Sequence, residues 1–234
     1  MLSLHDPMVQ ELIKLYNKDY VIRFEFIHRP RRFQRTLQYM QLGSNFIVAD
    51  YGCGSGLLYP HLEGKIESYQ GVDISSDFIE TANNHKKNLG WQKAYFYCEP
   101  IQSFCESRQN IFDAGFAFDF SEHVPDEEWV DILLSINMSL KPGGKLYLHT
   151  PNAQYFIEIM KRRNLLIKQI SGHVAVRDAE KNVKMLKKAG FAKIKVGFIP
   201  HYNPFLSCWH ILSKTPWVGK YFFARLFIIA EKSG

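Results

Sequence analysis

The sequence predicts an α/β fold: a mostly parallel sheet with helices packed on both faces. Three observations carry this. Short apolar runs alternate with helical stretches along most of the chain. The first run, Phe46-Ile47-Val48-Ala49, feeds directly into Asp50 and a glycine-rich loop. The later runs are bounded by turn residues or by residues that start helices. Connections between such strands are expected to be right-handed.

The elements follow in order. Residues 1–44 read as an N-terminal helical cap, and residues 45–234 as one globular unit. In the cap, Leu12, Ile13 and Tyr16 fall at helical spacing. Pro30 suits the first turn of a second helix whose face is Phe33, Leu37 and Met40. A helical stretch near 57–63 precedes a second strand at 69–73. Ser75 and Ser76 are N-cap candidates, and Asp77 suits the first turn of a helix reaching about residue 88. A third strand is expected at 94–98 and a fourth at 114–118. Asp126 is expected to cap a helix in which Trp129, Leu133, Ile136 and Leu140 share one face. Lys141-Pro142-Gly143-Gly144 predicts a turn, with a fifth strand at 145–150. Asp178 opens a helix that Gly190 ends. Late strands are expected at 193–198 and 222–230.

Composition narrows the class. With 46% hydrophobic and 22% charged residues, the 234-residue chain suits a globular domain able to bury a core. No uninterrupted apolar run of about 18 residues predicts a membrane span. The first residues lack the pattern of a secretory signal. The cysteines, Cys53, Cys98, Cys105 and Cys208, show neither a CxxC pair nor zinc-ligand spacing. A reduced, cytoplasmic protein is expected. The net charge of +6 is concentrated at Arg29, Arg31, Arg32 and Arg35, at Lys161, Arg162 and Arg163, and at Lys184, Lys187 and Lys188. Those patches fit a solvated basic face or attraction to an anionic lipid or nucleic acid.

The loop Asp50-Tyr51-Gly52-Cys53-Gly54-Ser55-Gly56 carries the chemistry. In open α/β sheets, ligands bind beyond the carboxyl ends of the strands. Glycines there let the backbone approach a ligand and supply positive φ. A nicotinamide loop has the spacing G-x-G-x-x-G. Here the spacing is G-x-G-x-G after an acid-terminated strand, which favours an adenosine ligand without a pyrophosphate. Asp50 suits backbone amides or a ligand ammonium. Asp73, in Gly71-Val72-Asp73-Ile74-Ser75, ends the second strand 21 positions after Gly52. A carboxylate there accepts from both ribose hydroxyls and repels a 2′-phosphate. After the third strand, Glu99 in Tyr97-Cys98-Glu99-Pro100-Ile101 suits an adenine amino group, or is a plain surface glutamate. Ile101 suits covering the ring.

These segments, with Phe112-Asp113, Asp119 to His123 and Leu140-Lys141-Pro142-Gly143-Gly144, stand in the order that resembles class I methyltransferases dependent on S-adenosylmethionine (SAM). The resemblance is strongest over about residues 45–152. It implies a Rossmann-like three-layer sandwich with a seven-stranded sheet, its last strand antiparallel and inserted beside the sixth. It implies SAM as cofactor, held by Asp50, Gly52, Cys53, Gly54, Gly56, Asp73, Ile74, Glu99 and Pro100, and by Ala117, Phe118 and Asp119 after the fourth strand. Ser121-Glu122-His123-Val124-Pro125-Asp126 and His149-Thr150-Pro151-Asn152 resemble the small-molecule O-methyltransferase branch, the ubiquinone-pathway enzymes above all. The class resemblance continues weakly to the end through Ala189-Gly190-Phe191 and the final strand, while the chain departs from the ubiquinone enzymes at the N-terminus and beyond residue 160.

That branch implies a divalent cation such as Mg²⁺ on Asp119, Glu122 and His123. Residues at i, i+3 and i+4 fall on one side of a helical turn, and two carboxylates with an imidazole suit a hard cation. His123 alternatively serves as general base for a hydroxyl proton, or braces the loop. His173 is a second candidate base. Methyl transfer needs an acceptor oxygen held in line with the methyl–sulfur bond.

The expected acceptor is a small molecule or a lipid- or glycan-linked intermediate. An RNA-modifying enzyme and a non-catalytic interaction module are the alternatives. Nucleic acid is the less expected partner. Asp119-Phe120-Ser121-Glu122 differs from the Asn/Asp-Pro-Pro-aromatic tetrad of amino-methylating relatives. Between the last two strands, Phe205, Leu206, Trp209, Ile211, Leu212 and Trp217 crowd into residues 201–220. They are read as core or active-site cover, with peripheral membrane contact as the alternative.

Overall fold

The computed structural model describes residues 18–21, 31–165 and 174–234. Leu12, Ile13, Tyr16, Arg29, Pro30 and His173 lie outside the described residues. Helix α1 (Arg31–Leu37) is followed by β1 (Ile47–Tyr51), α2 (Tyr59–Leu62), β2 (Ser68–Asp73), α3 (Ser76–Leu89) and β3 (Ala94–Cys98). Next come α4 (Ile101–Glu106), β4 (Phe112–Phe118), a 3₁₀ turn (Ser121–His123), α5 (Asp126–Ser139) and β5 (Leu140–Pro151). The chain continues through α6 (Phe156–Arg162), α7 (Ala179–Lys188), β6 (Phe191–Ile199), α8 (Pro204–Cys208), two 3₁₀ segments (Trp209–Lys214 and Gly219–Phe222) and β7 (Arg225–Lys232).

The seven strands form one sheet in the order β3-β2-β1-β4-β5-β7-β6. The pairs from β3 through β5 are parallel. β7 runs antiparallel to both β5 and β6. The expected sheet, including the inserted last strand, is therefore present. Strand order reverses between β1 and β4, which is where such sheets bind ligands.

Side-chain alternation explains the two cores. On β1, Val48 packs into one cluster and Ala49 into the other. β4 splits likewise, with Phe116 on one side and Ala117 on the other. Trp129, Leu133 and Ile136 of α5 are fully buried, as their spacing predicts, whereas Leu140, expected on the same helix face, is buried as the first residue of β5. Phe33 of α1 joins the second core, with Leu37 and Met40 packed against it.

Several boundaries differ from expectation for local reasons. Ser75 caps α3 by accepting from the Phe78 amide, as predicted. Asp126 does not cap α5; Pro125 occupies the N-cap, and Asp126 sits in the first turn. Its carboxylate is drawn to Arg177 and Lys181 instead. The turn expected at Lys141–Gly144 is absorbed into β5 as an irregularity where pairing shifts between Phe112 and Ala114. Gly143 there has φ 75°. β7 begins at Arg225 because Phe222 ends a 3₁₀ turn, so Phe222 and Phe223 are not strand residues.

The segment expected as core or active-site cover is largely exposed: Phe205 is 85%, Ile211 72% and Trp217 92% accessible. Among the described residues, no helix is long and apolar enough to cross a membrane.

Candidate active site

The site grows out of the loop after β1. Gly52, Gly54 and Gly56 all have positive φ, at 75°, 53° and 76°. Only glycine takes these values without strain. Two of them are also sterically locked. A Cβ on Gly52 would meet the Phe120 ring at 2.8 Å, and one on Gly56 the Phe96 ring at 2.6 Å. The amides of Gly52 and Cys53 both donate to the Val72 carbonyl, at 2.9 and 3.0 Å, which pins the loop against the end of β2.

Asp73 completes that clamp. Its Oδ2 accepts from the Gly54 amide and its Oδ1 from the Ser75 amide, each at 2.9 Å. Each carboxylate oxygen keeps further acceptor capacity for a ligand hydroxyl. Burial raises the Asp73 pKa above the usual aspartate value, and the amides of Ser75, Gly54 and Ile74 oppose that rise. Asp50 is buried, and its Oδ2 accepts from the Tyr69 hydroxyl at 2.5 Å. Burial, reinforced by the Asp50 charge, pushes the Tyr69 phenol well up, so it stays the donor. Burial likewise pushes the Cys53 thiol well up, with Asp73 and Asp50 adding to it. A raised thiol pKa disfavours the thiolate form of Cys53.

A cleft at the switch point collects most of the predicted ligand-binding residues. Asp50, Gly52, Cys53, Gly54, Asp73, Ile74, Glu99, Pro100, Phe118, Asp119 and His123 all line it. Gly56, Ala117 and Glu122 do not. Gly56 supports the loop from behind, and Ala117 is fully buried in the core. Phe33 and Tyr20 close the cleft from the N-terminal side, with Tyr20 edge-on to Phe78 at 6.2 Å. Glu99 faces Arg108 at 3.5 Å, and that guanidinium lies over Tyr97 and Phe104.

Asp119, Glu122 and His123 do not gather as the resemblance implies. Asp119 Oδ1 accepts from Arg225 Nη2 and stands 3.1 Å from His149 Nδ1. Glu122 is buried and accepts from Thr150 Oγ1 at 3.1 Å, while its carbonyl takes the amides of Val174 and Ala175. His123 lines the cleft near Asp73. Among the described residues, no three His, Cys, Asp or Glu side chains are grouped to hold a metal. Asp119 Oδ1 and Glu122 Oε2 accept from protein donors, so these side chains are not arranged as a ready Mg²⁺ site.

Three residues that shape this site went unnoticed in the sequence. Tyr69 orients Asp50. Arg225 holds Asp119. Arg177, only 2% exposed, donates from Nη1 to the Ser121 carbonyl and from Nη2 to the Val124 carbonyl, both at 2.6 Å. It also donates from Nε to Asp126 Oδ1 at 2.8 Å. Arg177 thus locks the turn carrying Glu122 and His123. No motif marks these side chains, because each acts across a long sequence separation. A lone arginine following an apolar run, as at Arg177 and Arg225, is the only available hint.

A seven-stranded sheet of this order, with a glycine loop and a carboxylate at the ends of adjacent strands, defines the class I, Rossmann-like methyltransferase fold. A family model described as a methyltransferase domain matches residues 26–196, and the chain belongs to that family. Ubiquinone biosynthesis O-methyltransferase of Idiomarina loihiensis is 32% identical over 105 residues, 45% of this chain and 42% of that protein. The Methylococcus capsulatus protein of the same name is 29% identical over 140 residues, 58% of this chain and 57% of that protein. The chain thus matches about half the length of these curated relatives.

Solved structures share the fold. Phosphoethanolamine N-methyltransferase 2 of Haemonchus contortus, in complex with S-adenosylhomocysteine, aligns with TM-score 0.71 at 17% identity. The alignment covers 100% of this chain and 61% of that one. A SAM-dependent methyltransferase of Archaeoglobus fulgidus aligns with TM-score 0.68 at 18% identity, covering 91% and 99%.

Proposed function

We propose that this chain transfers the methyl group of SAM to a hydroxyl of a small molecule. The observation that carries this is the clamp in which Asp73 holds the Gly54 amide at the mouth of the cleft. SAM supplies an already activated methyl group when bound. The chain's residues bind and orient. Asp73 accepts ribose hydroxyls, Glu99 receives the adenine amino group, and Ile74, Pro100 and Ile101 offer an apolar bed for the ring. Asp50, with Asp119 and the backbone of Phe118, faces the amino-acid end. His123 lines the cleft and is the proposed group that takes the acceptor proton. His173 keeps its place as the second candidate base.

The relatives named for ubiquinone biosynthesis O-methylation support the hydroxyl acceptor, and a lipid-linked intermediate belongs to the same proposal. Residues 1–44 are proposed as a helical cap over the cleft, with Tyr20 and Phe33 as its contact residues. Peripheral contact of residues 201–220 with a membrane would bring such an acceptor within reach. A calorimetric titration with SAM, paired with transfer of labelled methyl into lipid, glycan, RNA and metabolite fractions, tests the reading. Saturable SAM binding with label in lipid or small metabolites supports it. An absence of heat and of thermal shift overturns it, and label confined to RNA moves the acceptor to nucleic acid.

A further inference from the structure

Arg225 opens β7 at the level where β4 and β5 end, paired with Pro151 on one side and Ile199 on the other. Its side chain is 9% exposed. Its Nη2 is ion-paired with Asp119, and its Nε is buried without a hydrogen-bond partner. The Tyr202 ring covers the guanidinium at 5.1 Å. Burial alone would work against the charge. The carboxylates of Asp119, Glu122 and Glu158, with Tyr202, more than offset it and keep Arg225 a cation.

Two of those carboxylates, Asp119 and Glu122, are the ones the family resemblance assigns to a divalent ion. A buried carboxylate needs a compensating cation with well-placed donors. Here one is already built into the chain. Asp119 also takes φ 51°, a value costly for a residue with a Cβ. The Asp119 amide donates to the His149 carbonyl at 2.8 Å, and the His149 ring flanks the carboxylate. Backbone and side chain of Asp119 are thus both held from β5 and β7.

We propose that Arg225 is the resident cation behind the Asp119 carboxylate that lines the cleft. It takes the place of a divalent ion, and it acts as a positioning residue that fixes the Asp119 carboxylate. The claim concerns the chain's own charge arrangement, so its test does not require the acceptor. The proposed methyl transfer is judged separately, by SAM binding.

Mn²⁺ titration followed by electron paramagnetic resonance reads the site directly. The wild-type chain is expected to show no stoichiometric Mn²⁺ site, and its SAM affinity is expected to be indifferent to EDTA. Arg225→Ala removes the cation and leaves carboxylates facing a small space. This variant is expected to bind Mn²⁺ at least about tenfold more tightly than wild type, since an uncompensated buried charge seeks a counter-ion. Adding Asp119→Asn to it is expected to abolish the gain. Arg225→Lys keeps the charge and is expected to behave as wild type.

Should Arg225→Ala fail to fold, Arg225→Gln retains length and a donor while removing the charge, and the same gain is expected. Stoichiometric Mn²⁺ on the wild type that Asp119→Asn removes overturns the proposal. So does a folded Arg225→Gln with no gain in Mn²⁺ affinity.

Discussion

At the scale of single residues, Asp73 is the most consequential carboxylate. Two backbone amides hold it in place, so its orientation is set before any ligand arrives. Asp73→Asn keeps the size and loses the charge. Hydrogen bonds to a charged acceptor are worth about 1.5–3 kcal/mol, so SAM affinity is expected to fall by roughly tenfold or more while the fold persists. Calorimetry beside a melting curve separates the two effects.

The same residue gives a pH dependence with a defined sign. Burial raises its pKa, so protonation begins above the usual aspartate range. A protonated carboxyl accepts less well, and SAM affinity is expected to weaken as pH falls toward that range. Asp73 itself is the group responsible if Asp73→Asn flattens the profile. An unchanged slope in the variant assigns the effect elsewhere.

At the scale of elements, the site depends on one strand letting a loop lie flat. A Cβ on Gly71 of β2 would stand 2.8 Å from Cys53 Sγ and 2.9 Å from Cys53 Cβ. Gly71→Ala is therefore expected to lift the glycine loop and weaken SAM binding about as much as it lowers stability, roughly 1–3 kcal/mol for an overpacked site. SAM titration of the folded variant checks this, and an unaltered affinity would show that the loop adapts.

The turn after β4 depends on Arg177 in a parallel way. Arg177→Ala leaves the Val124 carbonyl without its side-chain donor and the Ser121 carbonyl with only the Val124 amide, and losing a donor to a buried acceptor costs about 1–3 kcal/mol. A drop of roughly 2–4 kcal/mol in urea denaturation is expected. The Asp126 arm adds little to that figure, because Asp126 is 42% exposed and screened by solvent. Burial opposes ionisation of Asp126, but Lys181 and Arg177 hold its carboxyl below the usual range. That contribution is present above the usual aspartate pKa. It is lost as pH falls through the lower folded value.

These cases also show what was legible in the sequence. The glycine loop, Asp73 and the strand alternation are local patterns, and each strand they predict from β1 through β5 is present, with bounds that shift where the expected turn at Lys141–Gly144 joins β5. Contacts such as Arg177 with Ser121, or Arg225 with Asp119, join residues far apart in the chain, and no local spacing encodes them. The metal triad is a case in point: the i, i+3, i+4 spacing suits a cation, but the described side chains are not grouped to hold one, and Arg225 and Thr150 each donate to one oxygen of its carboxylates. Phe222 read as strand because an apolar run does not reveal where a 3₁₀ turn ends.

At the scale of the whole molecule, the sheet gathers the cleft and the aromatic segment on one edge. β6 runs parallel to β1, so the chain leaves β6 at the end where ligand-binding loops emerge, and it returns there to begin β7. Part of the intervening segment is anchored. Phe156, Trp209 and Phe222 pack together, with Trp209 and Phe222 stacked at 6.2 Å. Arg35 of α1 donates to the carbonyls of Pro200 and His201. The rest projects outward, with Phe205, Ile211 and Trp217 each more than 70% exposed. Residues 201–224 contain no Asp or Glu, while Lys214 and Lys220 supply positive charge. Aromatic side chains beside lysines suit the headgroup boundary of an anionic bilayer, where each lysine contributes about 1 kcal/mol. Co-sedimentation with vesicles containing phosphatidylserine is therefore expected to retain the wild-type chain and to weaken with added salt. The double substitution Phe205→Ser and Trp217→Ser is expected to lower retention at least about tenfold without lowering SAM affinity, because neither side chain lines the cleft. Retention that survives the double substitution would assign binding to the basic patches alone. A wild-type chain that stays in the supernatant at low salt would remove membrane contact from the proposal, leaving the acceptor to diffuse to the cleft.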